Sequence, residues 1–282
     1  MTDEPDESFG LARSGPRALQ VRAANAAAHT RSLASLAPAW RSEVHRFAGG
    51  WLVLAGVGMY VNQAMVAGLA DEVSSSDLDL LIERSEAVGV VPAIEVTAGT
   101  QPESVRRIRR RGFVDRPDTD IACLTRAVAG ATVDAPDDVL IRPVVTDAEL
   151  GLWQRTSAAG WQHTSDDAHR ASEAFAAAAH ALANEHFVVA FDADDERPLG
   201  CAAMTVRDGV AMLGGMSTIP AERRRGVQAA LLRYRIAAAG RMGCDLAITT
   251  AACDSASERN LRRHGFAPTG VIRRFVPSSA TD

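Results

Sequence analysis

The amino-acid sequence predicts an α/β fold in which a mixed, mostly antiparallel sheet flanked by helices is built twice in tandem. Three observations predict this fold. Residues 139–282 carry strand and helix patterns in the order strand, helix, three strands, helix, strand, helix, strand. An ungapped internal repeat relates this half of the chain to the first half. The length of 282 residues, 47% of them hydrophobic, suits about two domains, each with its own core.

The composition argues against several classes of protein. The net charge of -5 and a sequence pI of about 5.8 argue against a generic nucleic-acid-binding protein. All 30 basic residues are arginine. The four cysteines show neither metal-ligand spacing nor a disulfide framework, so we expect no metal site. The acidic N-terminus lacks the features of a signal peptide, and no run approaches the roughly 18 apolar residues of a membrane span. We therefore expect a cytoplasmic protein without a membrane partner.

The elements of the first half are predicted from the N-terminus onward. Residues 1–17 are polar and predict a disordered tail, which precedes a first domain at 18–128. Hydrophobic spacing, caps and helix breakers within that domain predict helices over about 18–48, 63–69, 78–88 and from Pro102 to Gly112, and strands over 51–55, 92–97 and 121–125.

The second half follows a short connection. Residues 129–138 are small residues, proline and aspartate, a composition that predicts a linker. The second domain is then 139–282. Its patterns predict a strand at 139–143, a helical region from about 148 to 183 after a cap at Thr146, strands at 186–191 and 199–206, a turn at Asp208-Gly209, a strand from Val210, a helix at 227–239, a strand at 246–250 and a last helix that Gly265 closes.

A basic turn in the second half carries the clearest chemistry. Pro220 ends a strand, Arg223–Arg225 follow, and Gly226 precedes the helix that begins at Val227. The start of a helix leaves backbone N–H groups without partners and carries the positive end of the helix dipole. A glycine at that point lets a large ligand approach the backbone, so this turn can hold a phosphate or pyrophosphate group.

This turn resembles the acyl-CoA loop of the GCN5-related N-acetyltransferase (GNAT) family, whose motif is Arg/Gln-x-x-Gly-x-Gly/Ala. Arg223, Gly226 and Gln228 occupy the three motif positions, with Pro220 in the expected place before them. Gln228 departs from the small residue that is usual there. We regard this departure as minor because a backbone N–H group is present whatever the side chain.

A second feature of the family lies downstream, where Asn260 and then Gly265-Phe266 close a helix. The resemblance implies direct transfer of acetyl from the co-substrate acetyl-CoA to an amine. It implies that backbone groups of Met216 and Thr218 pair with the pantetheine amides, that one of these N–H groups polarises the thioester carbonyl, and that Asn260 reaches the pantetheine arm. The cofactor-binding residues that it implies are Met216, Ser217, Thr218, Arg223, Arg224, Arg225, Gly226, Val227, Gln228, Ala229 and Asn260.

The internal repeat makes the first half a degenerate copy of the same domain. Residues 94–113 lie over 247–266 without a gap, with eight identities in twenty positions. The first copy lacks a basic loop, since the region that we equate with it, Gly56–Asn62, has no basic cluster, and Arg107 stands where the second copy has Asn260. We therefore expect only the second copy to hold the cofactor.

The sequence does not assign an acid or a base. Many members of the family use a tyrosine four residues before the glycine of Gly-Phe, where this chain has Leu261, and no carboxylate lies between Val210 and Pro220. Tyr234 falls at helical spacing, so we expect it to pack in the core.

The predicted acceptor-binding residues are Trp161, His163 and Asp166, because they lie where the acceptor-binding helices of the family fall. These side chains could hold a cationic amine, with His163 as the base, but a Ser-Asp-Asp run is also typical of a helix N-cap. Two functions stay open. One is an N-acetyltransferase, monomeric or homodimeric, for a small-molecule or protein amine. The other is an acyl-CoA-binding protein that has lost catalysis.

Overall fold

The computed structural model describes residues 7–128, 138–162 and 165–280. Within these ranges the α-helices are α1 (Glu7–Leu36), α2 (Ser75–Val88), α3 (Pro102–Arg110), α4 (Asp147–Trp161), α5 (Asp166–His180), α6 (Val227–Arg241) and α7 (Ala256–Arg263). The strands are β1 (Glu43–Phe47), β2 (Gly50–Leu54), β3 (Gln63–Met65), β4 (Ile94–Val96), β5 (Phe113–Asp115), β6 (Ile121–Ala127), β7 (Val139–Pro143), β8 (Glu185–Asp192), β9 (Pro198–Arg207), β10 (Val210–Thr218), β11 (Leu246–Ala252) and β12 (Ala267–Pro277).

The strands form one mixed sheet. Its order is β1-β2-β3-β4-β12-β6-β11-β10-β9-β8-β7, with β5 pairing with β12 to the side of this path. The pairs β3 with β4 and β10 with β11 are parallel, and the other pairs are antiparallel. The mixed, mostly antiparallel sheet that the sequence predicts is confirmed.

The two halves of the chain share this sheet because each contributes a strand to the other. β6, from the first half, lies between β11 and β12 and pairs with both. β12, from the second half, continues past β6 to pair with β4 and β5. The domains predicted at 18–128 and 139–282 are therefore joined by strand hydrogen bonds, and the linker predicted at 129–138 falls outside the described residues except for Asp138.

Helices cover both faces of the sheet. On one face α4 and α5 enclose a core with Trp153, Phe187 and Cys201, and α1 crosses from β6 and β12 to β10 and α5. On the other face α6 and α7 cover a core that contains Leu232 and Phe266, and α2 and α3 cover its counterpart in the first half. Among the described residues, no helix is both long enough and apolar enough to cross a bilayer.

The first half departs from its predicted elements in three places. α1 begins at Glu7, inside the tail predicted to residue 17, and is tied down by the fully buried Ala18 and by Arg17, whose guanidinium meets the Asp245 carboxylate at 2.6 Å. β1 lies inside the helix predicted to residue 48, because this segment pairs with β2. β3 replaces the helix predicted at 63–69, because Gln63–Met65 complete the sheet between β2 and β4.

The second half follows the predicted order of elements. Thr146 caps α4 by accepting a hydrogen bond from the backbone N–H of Glu149, as its sequence position predicts. The region predicted as helical to residue 183 consists of two helices, α4 and α5. Asp208 and Gly209 make the turn between β9 and β10 with φ values of 50° and 73°.

Candidate active site

A gap opens between two neighbouring parallel strands of the second half. β10 pairs with β11 only through Val210–Met212, and beyond Met212 the two strands diverge. At the point of divergence the Thr249 hydroxyl donates to the Leu213 carbonyl oxygen at 2.9 Å. β10 also carries an irregularity in its pairing with β9 between Gly214 and Ser217. The backbone of β10 beyond Leu213 therefore faces a gap between the strands.

A buried arginine fixes this irregular part of β10. Arg235, on α6, is 2% exposed, and its guanidinium donates to the carbonyl oxygens of Ala203 at 2.9 Å and Gly214 at 3.1 Å. It also contacts the Met216 sulfur at 3.0 Å. No carboxylate among the described residues pairs with it, and burial lowers the pKa of the guanidinium to about 10, so it stays charged near neutral pH. Arg235 thus ties α6 to β9 and β10 where the strands diverge.

The far end of β10 is held against α4. The Ser217 hydroxyl lies 3.4 Å from the Ser157 carbonyl oxygen, and Gly160 approaches Ser217 so closely that a Cβ would not fit there. Arg223 reaches back from the basic turn to donate to the carbonyl oxygens of Gly160 at 3.1 Å and Thr218 at 3.4 Å. Its side chain therefore organises the strand end and is not directed at the N-terminus of α6.

The N-terminus of α6 is open. Its N-cap is Gly226, with φ of 77°, no side chain of the described residues caps it, and its first turn contains no acidic residue. Arg224 precedes it with φ of 71° and is exposed, and it makes no hydrogen bond or ion pair with any described residue. Free N–H groups, a positive dipole end and one free guanidinium are the features that an anionic pyrophosphate requires.

Arg225 points away from this site. Its guanidinium meets the carboxylates of Asp192 at 2.9 Å and Glu222 at 2.8 Å. The hydrogen bond from Arg225 lowers the pKa of the Asp192 carboxyl below its ordinary value. Arg223 and Arg225 therefore support the loop, and Arg224 is the arginine of the three that makes no hydrogen bond or ion pair with a described residue.

Asn260 carries an unsatisfied donor on the neighbouring helix. It lies on α7, which follows β11, and its side-chain Nδ2 atom is buried and has no hydrogen-bond partner. Buried amide donors are rarely left unpaired in a folded protein. An orphaned donor at this position fits a carbonyl oxygen of a ligand lying in the gap between the strands.

In the first half the corresponding site is closed. The loop that corresponds to the basic turn is Val66–Ser74, because it precedes α2, β4 and α3 as the basic turn precedes α6, β11 and α7. Ser74 and Asp77 form a capping box on α2, in which the Ser74 hydroxyl accepts from the Asp77 N–H group and the Asp77 carboxylate accepts from the Ser74 N–H group. Arg107, at the position of Asn260, donates to the Val73 carbonyl oxygen. β3 and β4 pair through Ala64 and Ile94, and the loop follows directly after the short β3. β3 therefore has no counterpart of the part of β10 that diverges from β11.

This arrangement corrects one prediction. The region equated with the missing loop, Gly56–Asn62, precedes β3 and is not its equivalent. Val66–Ser74 has the acidic residues Asp71 and Glu72 where the second half has arginines. Its acidic side chains and its capped helix do not suit an anion.

The predicted acceptor residues lie near the junction of α4 and α5. Trp161 ends α4 and is 60% exposed, and Asp166 is exposed in the first turn of α5, whose N-cap is Ser165. His163 lies outside the described residues. The helix-cap interpretation of the Ser-Asp-Asp run is confirmed, because the Ser165 hydroxyl accepts from the Ala168 N–H at 3.2 Å.

Leu261 and Tyr234 are packing residues. Leu261 is 2% exposed in the core beneath α6 and α7, and Ile108, its counterpart in the repeat, is fully buried as well. Tyr234 packs against the core formed with Val227 and Leu231, as predicted. Leu261 therefore supplies no acid at the gap. No cluster of potential metal ligands occurs among the described residues.

Comparisons with known proteins agree with this geometry. Residues 149–266 match the model of the acetyltransferase (GNAT) family. The second half of the chain therefore contains a GNAT-family domain. A GCN5-related N-acetyltransferase from Kribbella flavida is similar over 89% of this chain and 95% of its own, with a TM-score of 0.62 and 17% identity. A tandem GNAT protein from the clavulanic acid biosynthesis pathway is similar over 98% and 96%, with a TM-score of 0.60 and 12% identity.

The matches support the fold of both halves. The family model covers most of the second half, which contains the gap and the open helix. The tandem GNAT structure extends the likeness of fold over nearly the whole chain, so the tandem architecture is confirmed. No curated protein sequence matches the chain.

Two residues of the site were missed by the sequence analysis. Arg235 and Thr249 position β10, and neither belongs to the recognised motif. A signal existed for Arg235, because it is the charged residue in the sequence Tyr-Arg-Ile-Ala-Ala-Ala that faces the core of α6. No sequence signal distinguishes Thr249 from other strand threonines.

Proposed function

We propose that the protein transfers acetyl from acetyl-CoA to a primary amine, by direct transfer in its second half. The observation that carries the proposal is the contrast between two equivalent helices. α6 begins at an uncapped Gly226 without acidic neighbours, whereas α2 begins with a Ser74–Asp77 capping box that uses its own N–H groups. Only α6 suits an anionic pyrophosphate, so we expect one cofactor site in each chain.

The residues around the gap divide the binding of acetyl-CoA among them. Backbone N–H groups from Arg224 to Ala229 would hold the pyrophosphate, with the free guanidinium of Arg224 beside it. Backbone groups of Met216–Thr218 would pair with the pantetheine amides, and the orphaned amide of Asn260 would donate to a carbonyl oxygen of that arm. When bound, acetyl-CoA supplies the activated acetyl thioester.

The chain's contribution to chemistry is mainly positioning. Arg235 and Thr249 hold the backbone of β10 at the point where the strands diverge, so its N–H groups have fixed directions. Fixed donors of this kind stabilise charge that develops on a carbonyl oxygen. Holding an amine against a thioester in one orientation accounts for much of the rate that such a site can reach.

Leu261 favours testing a second function, an acyl-CoA-binding protein that has lost catalysis. This residue occupies the position of the family's usual acid and lies in the core, where it has no access to a thiolate. An acyl-CoA-binding protein without catalysis would keep the open α6 and lack the acid. Release of free thiol during incubation with acetyl-CoA and a panel of primary amines separates the two functions.

The experiment that tests the cofactor site uses Ala229→Asp, with Ala229→Asn as the matched control. Residue 229 is the third residue of α6, the position that Asp77 holds in α2. A carboxylate there suits the helix dipole and should leave stability unchanged, but it repels a pyrophosphate. In calorimetric titrations we expect one equivalent of acetyl-CoA to bind wild type, at least tenfold weaker binding to Ala229→Asp, and a smaller change for Ala229→Asn. Equal binding to all three proteins would place the cofactor elsewhere.

A further inference from the structure

The Gly56–Asn62 loop of the first half docks on a helix of the second half. The Asn62 side chain shapes the loop: its Oδ1 accepts from the Ala55 N–H at 2.7 Å, and its Nδ2 donates to the Gly56 and Met59 carbonyl oxygens at 2.7 and 2.8 Å. Met59 and Val61 are buried in a core that includes Ala171 and Ala178 of α5. The loop is therefore a hydrogen-bonded, packed part of the junction between the halves.

Tyr60 stands between these two buried residues and is 77% exposed. Its ring meets the Phe175 ring edge to face, with centroids 5.6 Å apart, and its hydroxyl makes no hydrogen bond to a described residue. The surrounding protein nevertheless raises the pKa of the Tyr60 phenol through desolvation, with Arg22 opposing the shift and Glu185 adding to it. The Tyr60 side chain is thus open to water, and its phenol lies near enough to Arg22 and Glu185 to interact with their charges.

A histidine that also contacts Phe175 is paired with a carboxylate. The His29 ring contacts Phe175 with centroids 5.5 Å apart, and its Nε2 atom lies 2.6 Å from a carboxylate oxygen of Glu185, whose side chain is 2% exposed. If Nε2 carries the proton and donates to Glu185, Nδ1 presents a lone pair. Nδ1 has no hydrogen-bond partner among the described residues. His29 comes from the first half and Glu185 from the second.

The sheet register relates this pair to the gap. Glu185 lies opposite Thr205, and Thr205 lies opposite Met212, the last residue of β10 that pairs with β11. Two strand spacings, roughly 10 Å, therefore separate the backbone of Glu185 from the point of divergence. Asn25, one turn before His29 on α1, contacts the Met212 sulfur at 3.6 Å. The cluster thus lies on the α1 face of the sheet, opposite α6.

We propose that Tyr60, Phe175, His29 and Glu185 form a binding site for a cationic amine that both halves of the chain build together. The exposed Tyr60 ring can make a cation–π contact with an ammonium group, and Nδ1 of His29 can accept a hydrogen bond from that group. The Glu185 carboxylate adds negative charge behind the imidazole. The proposal deepens the proposed function, on which it rests, by assigning the class of acceptor and giving the first half a role in recognising it.

The charges around the cluster favour a cation. Arg22, whose charge acts on the Tyr60 phenol, is neutralised by Glu95, whose two oxygens it meets at 2.8 and 2.6 Å. Arg207, which approaches from β9, donates to the Asn25 side chain at 2.7 Å. With His29 neutral, no cation among the ion pairs of the described residues offsets the charge of Glu185. A primary ammonium group with an apolar or aromatic arm complements this arrangement.

The test uses the fact that the chain has two tyrosines. Protein labelled with 3-fluorotyrosine should give two 19F resonances, and the Tyr60→Phe variant identifies the one from Tyr60. Titration with phenethylammonium in the absence of CoA should shift the Tyr60 resonance in a saturable way and leave Tyr234 unchanged. The neutral analogue 2-phenylethanol should bind at least tenfold more weakly.

Variants decide the outcome. Glu185→Gln should weaken phenethylammonium binding at least tenfold by the Tyr60 resonance. Calorimetric titration should show a similar loss for Tyr60→Ala, which removes the NMR reporter at an exposed position and leaves the core intact. The proposal is overturned if the Tyr60 resonance does not move at millimolar amine, or if the alcohol binds as well as the amine. The measurement contains no CoA, so its failure leaves the acetyl-CoA titration of Ala229→Asp as an independent test of the proposed function.

Discussion

Arg235 donates to the carbonyl oxygen of Gly214 at 3.1 Å from inside the core of the second half. The bond joins the helix that presents its N-terminus to the proposed pyrophosphate site with the strand that borders the gap. One side chain therefore fixes two parts of the site relative to each other. It can do so because a guanidinium has five donors in a rigid fork, enough to satisfy several carbonyl groups at once.

Replacing this side chain should loosen the site. Arg235→Met keeps the length of the side chain and leaves the carbonyl groups of Ala203 and Gly214 without this donor. A buried polar group left unpaired costs about 1–3 kcal/mol, so the free energy of unfolding should fall by roughly 2–4 kcal/mol. Acetyl-CoA binding should weaken as β10 relaxes. Urea unfolding and calorimetry measure the two effects, with Arg241→Met at the exposed end of α6 as the control. If the variant has the stability and the acetyl-CoA affinity of wild type, Arg235 does not hold the site together.

Asn260 should affect binding without affecting stability. Its Nδ2 atom has no partner to lose, so Asn260→Ala should change the free energy of unfolding by less than about 0.5 kcal/mol. If the amide donates to the pantetheine arm, the affinity for acetyl-CoA should fall about tenfold, which corresponds to ~1.4 kcal/mol. Arg263→Ala, on the exposed part of α7, is the matched control. A loss of stability without a loss of affinity would indicate a purely structural role.

The parts of the site that the sequence predicted are those with local signals. Gly226 is recognisable because a left-handed residue before a helix favours glycine, and Asn260 because it lies a fixed distance before a helix-ending glycine. Both features depend on a few adjacent residues. Strand and helix order in the second half was predicted for the same reason, since alternating and helical patterns are local as well.

The parts that it did not predict depend on contacts between distant segments. The pairing of β6 with β11 and β12 joins residues more than a hundred positions apart, and three-residue strands such as β3 are too short to show an alternating pattern. The direction of Arg225 was unpredictable for a similar reason. Its partner Asp192 lies at the end of β8, 33 positions earlier in the chain. A run of three arginines gives no sign that one of them is neutralised by a carboxylate.

The pairing of Asp192 with Arg225 should appear in the pH dependence of stability. The pKa of Asp192 is lowered in the folded protein, so its contribution is present above the unfolded value of about 3.9 and is lost as the pH falls through the folded pKa. Asp192→Asn should therefore be less stable than wild type at neutral pH, and the difference should shrink in strongly acidic solution. Urea unfolding at several pH values tests this, and a difference that grows on acidification would contradict it.

The capping box of α2 gives the last prediction, because it distinguishes a helix closed by its own side chains from one that awaits a ligand. The Ser74 hydroxyl accepts from the Asp77 N–H at 3.1 Å, and the Asp77 carboxylate accepts from the Ser74 N–H at 2.8 Å. Ser74→Ala should lower the free energy of unfolding by about 1 kcal/mol, whereas Ser75→Ala, an exposed neighbour, should change it little. Neither variant should create a second acetyl-CoA site, because Asp77 remains and Arg107 still bonds to the loop before α2. The measurement is calorimetric stoichiometry, and two equivalents bound to Ser74→Ala would show that the cap alone had closed the first copy.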